Sequence, residues 1–212
     1  MDLIHPDAQV YAERFSTPED DLLREIADYT TQHHTEPHML SGHLQGKLLE
    51  MVSYMIRPKR ILEIGTFTGY SALCLAKGLA ADGQLHTIEL REKDAAIAQG
   101  YFNRSSLRDK IILHTGIAKE VIPTLNETWD LVFIDADKVS YTEYFELVFP
   151  GLRQNGFILA DNIFFHGEVL EEPVKGKSAK AIQAFNEMIA GRNDIDKMII
   201  TLRDGLYLLR KR

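Results

Sequence analysis

From residue 60 onward the chain alternates short apolar runs of β-type residues with stretches of helical spacing, and this rhythm restricts the fold more than any other feature. ILEIG (61 to 65) precedes SALCLAKGLA, QLHTIEL (84 to 90) precedes REKDAAIAQGYFNRSSL, and IILHTG (111 to 116) precedes AKEVIPTL. LVFIDADK (131 to 138) and GFILADN (156 to 162) then enclose SYTEYFELVFPGL. Strand, crossover helix and strand in repetition build a parallel sheet with both faces covered, which is why the runs are apolar throughout instead of alternating. Asp82-Gly83, Asn155-Gly156 and Gly191 supply the expected turns. The segment KMIITLRDGLYLLRK breaks the rhythm, because two β-type runs are separated only by Arg203, Asp204 and Gly205. That Asp-Gly is a hairpin signal, so the sheet is expected to end in an antiparallel pair. The first sixty residues read as helices, EDDLLREIADYTTQH and GHLQGKLLEMVSYMI.

A chain of 212 residues is long enough for one domain with a sizeable core. Its formal charge of -7 argues against a phosphate-tracking surface, so no nucleic-acid partner is expected. No segment has the apolar length of a membrane span, and MDLIHPDAQV has neither a basic start nor an apolar run; a cytoplasmic location is the expectation. The single cysteine, Cys74, lies in the apolar SALCLAKGLA pattern and can form neither an internal disulfide nor a CxxC pair.

Two of the apolar runs end in clusters of oxygen-bearing side chains. If those strands are parallel neighbours, Asp135, Asp137, Lys138, Asp161 and Asn162 gather on one rim, where open α/β sheets bind ligands. Two carboxylates and an amide oxygen suit a hard divalent cation, Mg²⁺ or Ca²⁺ in type, and a lysine beside them suggests proton transfer. Upstream, ILEIGTFTGYS sets Gly65 and Gly69 between a buried strand and a helix. Glycines there allow a sharp turn onto free helix-start N–H groups, with Glu63 aimed at the same crevice. Phe67 replaces the middle glycine of a dinucleotide loop, which disfavours a nicotinamide-dependent dehydrogenase. Glu89 ends the second strand at roughly the 20-residue offset from which an acid reaches a ribose diol. Its competing reading is a solvated helix-start glutamate, since Glu92 and Asp94 follow.

ILEIGTFTGYS, Glu89, HTGIAKEVIPTL, LVFIDADK and LADN, in this order, resemble the cation-dependent class I O-methyltransferases, the group of catechol and caffeoyl-coenzyme A O-methyltransferases. The resemblance spans nearly the whole chain, for MLSGHLQGKLLEMV is similar to the family's N-terminal helix and RDGLYLLRK to its closing hairpin. It implies a Rossmann-like α/β fold with a seven-stranded, mostly parallel sheet, an antiparallel last strand and helices on both faces. Residues 1 to 212 would form one domain, with 1 to 58 as helices covering the site and 59 to 212 as the core.

The resemblance further implies S-adenosylmethionine as cofactor. Glu63 and Gly65 would line its methionine part, Tyr70 and Ser71 the helix-start site, and Glu89 the ribose. Gly116, Ile117 and Ala118 would flank the adenine, and Met39 to Ser41 would close over the top. Asp135 would face both cofactor and metal. The metal set becomes Asp135, Asp161 and Asn162, with Lys138 as general base; that role needs a lowered lysine pKa, against the commoner solvated state. Asp137 receives no ligand role, only a place behind the ligands.

His33, His34 and His38 lack zinc-site spacing and read as a loop over the site. Phe164 and Phe165, beside His166, could stack on an aromatic acceptor or simply belong to the core. GEVLEEPVKGKSAK reads as a loop over the site, shorter than the plant enzymes' recognition insertions. A small catechol-like acceptor therefore fits better than a coenzyme A ester. A homodimer follows from the resemblance alone. The remaining rival is a non-catalytic S-adenosylmethionine-binding protein, which would leave the metal trio and Lys138 without a purpose.

Overall fold

The structure, a computed structural model, describes residues 4 to 212; Met1 to Leu3 of the segment read for a leader lie outside it. In chain order the elements are α1 (Pro6–Arg14), α2 (Asp21–His33), α3 (Gly42–Ile56), β1 (Arg60–Ile64), α4 (Tyr70–Ala76), β2 (Gln84–Glu89), α5 (Glu92–Arg104) and β3 (Ile111–Thr115). They continue as α6 (Ala118–Val121), β4 (Trp129–Ile134), α7 (Tyr141–Val148), β5 (Leu152–Asp161), α8 (Lys177–Ala190), β6 (Ile195–Ile200) and β7 (Leu206–Lys211). Among the described residues no helix is long and apolar enough to cross a membrane.

The seven strands form one sheet of order β3-β2-β1-β4-β5-β7-β6. β1 to β5 pair in parallel, and β7 runs antiparallel to both β5 and β6. Alternate residues feed two cores: Leu62, Ile64, Val132 and Ile134 face α7 and α8, while Ile61, Leu131 and Phe133 face α3 and α4. The strand order reverses between β1 and β4, the point at which such sheets open a crevice at their carboxyl ends.

α3 shows why the cover belongs to the core. Its buried face is Gln45, Gly46, Leu49, Val52 and Ser53, at helical spacing. A side chain at position 46 would meet the Tyr70 ring at 2.6 Å, so glycine lets α3 lie directly on α4.

Three local expectations change. α1 had no sequence signal beyond Pro6, which starts the helix behind a His5 cap. Asn155-Gly156 is not a turn between units but a bulge within β5: the register jumps from Trp129↔Leu152 to Leu131↔Phe157, and Asn155 takes a positive φ of 61°. The final hairpin turns over residues 201 to 205, two more than the three expected, and β7 inserts between β5 and β6.

Candidate active site

The loops leaving β1, β2, β3, β4 and β5 converge on one cavity of about 730 Å³, within the range of small-molecule sites. Met39, Ser41, Gly65, Tyr70, Ser71, Glu89, Gly116, Ile117, Ala118, Asp135, Lys138, Asp161 and Asn162 all line it. Residues from both ends of the sequence motif series thus share one wall. Glu63 stands apart: it is fully buried one layer behind the wall.

At the β1–β2 end the surface is shaped by tight glycine turns. Gly65 has φ 101°, and a Cβ there would lie 2.0 Å from the carbonyl oxygen of Asp135. Its glycine therefore serves the approach of the β4 loop as much as any ligand. Gly69, at φ 89°, clears the ring of Phe102 by the same logic. Glu89 is buried, not solvated; its carboxylate accepts the amide of Phe67 at 2.7 Å and that of Arg91 at 2.9 Å. Those two bonds hold the acid rigidly at the strand end. Tyr70 packs its ring on Gly46 and donates its hydroxyl to Glu19, leaving the helix start itself as its contribution to the wall. Burial pushes the Glu63 carboxyl up to about 8, against the opposing pull of the Ser71 and Thr87 hydroxyls. Its Oε1 has no hydrogen-bond partner among the described residues.

At the β4–β5 end the surface is made of side chains. Asp161 accepts its neighbour's amide, from Asn162, at 2.8 Å on Oδ1, and Gln45 Nε2 at 2.7 Å on Oδ2. Burial, then the charge of Asp135, push its carboxyl up to about 6. Two carboxylates beside an amide oxygen are a hard-cation donor set, so the trio fits such an ion by the chemistry of its donors. The third donor is the Asn162 amide: among the described residues no group of three or more His, Cys, Asp or Glu side chains forms a metal cluster.

Lys138 donates to Asp135 Oδ1 at 2.9 Å and to the Tyr141 hydroxyl at 2.8 Å. Burial works to lower its pKa, but Asp135, Tyr141 and Asp161 outweigh it, and the ammonium is held well above the usual lysine range. The lowered value that a general base needs is absent from the chain by itself. Tyr141 in turn donates to the backbone carbonyl of Asp161 at 2.9 Å, with that of Ile134 at 3.2 Å. One phenol thus spans both strand ends and the lysine.

Asp137 caps the turn after β4 through the amide of Ser140, at 3.1 Å, and accepts the Tyr144 hydroxyl. Its carboxylate is occupied by local structure. The three N-terminal loop histidines diverge: His33 turns back to Tyr29, His34 bonds Asp94 at 3.1 Å, and His38 alone of these three lines the cavity. Phe165 and His166 line the cavity, whereas Phe164 packs against Gly205 in the core; GEVLEEPVKGKSAK contributes nothing further to the wall.

A family model described as O-methyltransferase matches residues 13–212. The chain belongs to the O-methyltransferase family. It is 36% identical to a catechol O-methyltransferase of Niastella koreensis over 74% of this chain and 73% of that one. Among solved structures it resembles the O-methyltransferase TomG from Streptomyces achromogenes, in complex with SAM, at 30% identity and a TM-score of 0.89, covering 97% of this chain and 96% of that one. An O-methyltransferase from Bacillus cereus, in complex with SAH, gives 29% identity and a TM-score of 0.89, with 97% of each chain covered. Membership of this family removes the ground for the dehydrogenase rival.

Sequence reasoning missed Gln45, Tyr141, Arg203 and Asp204. Gln45 had a signal, a polar residue on the apolar face of α3. Tyr141 stands one helical turn after Lys138, a spacing that places both on one side.

Proposed function

We propose that this O-methyltransferase moves the methyl group of S-adenosylmethionine to one hydroxyl of a catechol-like vicinal diphenol, with a divalent cation, Mg²⁺ in type, held by Asp135, Asp161 and Asn162. The observation that carries the reading is the convergence in one cavity of a helix start with Glu89 at one end and this oxygen-donor trio with Lys138 at the other. The catechol O-methyltransferase relative supports the acceptor class.

Glu89 holds the ribose hydroxyls, the α4 start and Gly65 border the methionine part, and Gly116 to Ala118 flank the adenine. Met39 to Ser41 cover the cofactor from above, as part of an N-terminal cover, described from residue 4 to residue 58, on a core of 59 to 212. Phe165 offers the acceptor ring an apolar face. A divalent cation held by Asp135, Asp161 and Asn162 would supply Lewis acidity, lowering the pKa of an acceptor hydroxyl. With a cation on the trio the charge of the two acids would no longer be directed at Lys138; its ammonium would then release a proton to water, and the neutral amine would receive the hydroxyl proton at Nζ, with Tyr141 holding that nitrogen in place. Holding the acceptor oxygen in line with the methyl carbon supplies much of the acceleration. The chain acts as a cytoplasmic homodimer.

Activity on a panel of catechols with and without EDTA tests this reading. Turnover should collapse in chelator and return with Mg²⁺; full turnover in EDTA would remove the trio from its role. Calorimetry with S-adenosylmethionine and NAD tests the cofactor, and preferential NAD binding would overturn it.

A further inference from the structure

Arg203 and Asp204 form the tip of the β6–β7 turn and lie against the β4–β5 end of the cavity. Arg203 has no carboxylate partner among the described residues; its guanidinium donates to the carbonyl of Ser41, to Gln45 Oε1 at 3.3 Å and to the carbonyl of His38 at 3.5 Å. The backbone is tied down as firmly. The amide of Phe164 bonds the Asp204 carbonyl at 3.0 Å, that of Ile163 bonds Gly205 at 3.2 Å, and a Cβ on Gly205 would strike the Phe164 ring at 2.5 Å. The turn is therefore a fixed platform.

On that platform each oxygen of Asp204 accepts one hydrogen bond, and the His166 ring nitrogen Nδ1 lies 3.9 Å from Oδ2. Oδ1 accepts the His166 amide at 2.6 Å, and Oδ2 accepts Asn162 Nδ2 at 3.2 Å. An ionised carboxylate can only accept, so it selects one of the two orientations of the Asn162 amide. The NH₂ group faces Asp204, and Oδ1 is left on the opposite side. Asn162 itself sits at a positive φ of 55°, so its backbone gives the side chain one direction of approach.

We propose that Asp204 is a positioning residue that fixes the Asn162 amide with its oxygen toward the cation. The inference rests on Asn162 being a cation ligand, as proposed above. An amide free to turn over would present hydrogens to the cation in half of its states and lose the bond. Partners that orient metal ligands in this way typically contribute about 10- to 100-fold in metal affinity.

Asp204→Asn gives a sharp test because it preserves size. The His166 amide needs an acceptor at Oδ1, so the new amide keeps its oxygen there and turns its own NH₂ toward Asn162. That arrangement forces the Asn162 amide over. Mn²⁺ affinity of the full chain, read from the electron paramagnetic resonance signal of free Mn²⁺, should fall about 10- to 100-fold, with S-adenosylmethionine affinity by calorimetry unchanged.

Adding Asn162→Asp to Asp204→Asn should restore Mn²⁺ binding, since a carboxylate at 162 accepts the new NH₂ and still offers an oxygen. In an Asn162→Ala background, Asp204→Asn should change nothing further. A persisting loss there would mean that Asp204 acts by its charge alone and would overturn the proposal, as would wild-type Mn²⁺ affinity in the single variant. Absence of Mn²⁺ binding by the wild-type chain would sink the cation reading and this one together; wild-type affinity in Asp204→Asn sinks only this one.

Discussion

The two ends of the cavity are built from different materials. Around β1 and β2 the wall is shaped by tight backbone turns, with Gly65 at φ 101° and Gly69 at φ 89°, and its acid Glu89 is fixed by main-chain amides. Around β4 and β5 the site is made of side chains held by other side chains: Gln45 of α3 on Asp161 and Asp204 of the final turn on Asn162, both far away in sequence, and Tyr141, one helical turn on, on Lys138. A surface made of backbone tolerates many side chains but no added Cβ at its tight turns. A surface made of side chains depends instead on single functional groups and on the remote residues that aim them.

The largest effect should come from the side-chain end. Asp161→Ala is expected to cut turnover by on the order of 10²- to 10³-fold or more, while calorimetric affinity for S-adenosylmethionine changes less than about threefold. A parallel collapse of cofactor affinity would break the comparison, because the ends would then be one structure. Gly65→Ala attacks the backbone end: both the added Cβ against the Asp135 carbonyl and the positive φ count against it. A loss of about 2 to 4 kcal/mol in urea unfolding is expected, and a stability within 0.5 kcal/mol, the usual range for a neutral surface change, would show that the two loops give way easily. Glu89→Gln should raise the S-adenosylmethionine Kd about 10- to 100-fold and leave Mn²⁺ affinity alone.

The last effect is of another kind, a slope per pH unit instead of a loss on substitution, and it belongs to Glu63. Its carboxyl titrates near 8 when folded, against an ordinary 4.5. The folded chain thus holds a proton that the unfolded chain releases, and stability present below 4.5 is lost as pH rises toward 8. In EDTA and without cofactor, this contributes a slope of up to about 1.4 kcal/mol per pH unit between those values. Glu63→Gln should flatten it, and identical slopes would show that the carboxyl ionises freely in the fold.

The sheet was legible because apolar runs that serve two covered faces leave no ambiguity of period, and strand ends carry their polar residues in sequence with the strand. Hence Glu89, Asp135, Asp161 and Asn162 could all be found and all meet at the cavity. Asp204 could not, since Asp-Gly in a hairpin explains itself locally and no periodicity relates position 204 to position 162. The state of Lys138 was hidden for a similar reason: a lysine near acids can be poised low or held charged, and only the 2.9 Å contact with Asp135 decides which. The bulge at Asn155-Gly156 was misread because a dipeptide suited to positive φ serves a bulge as well as a turn.

The placement of β7 between β5 and β6 has a consequence in time. β6 pairs with β7 alone, and the turn between them carries Asp204. A chain emerging from the ribosome has therefore synthesised β1 to β5, with Asp135, Asp161 and Asn162, before it carries the Asp204 carboxylate to which the Asn162 amide donates. Under the proposed role of Asp204, the site would be complete only when the last strand docks between β5 and β6.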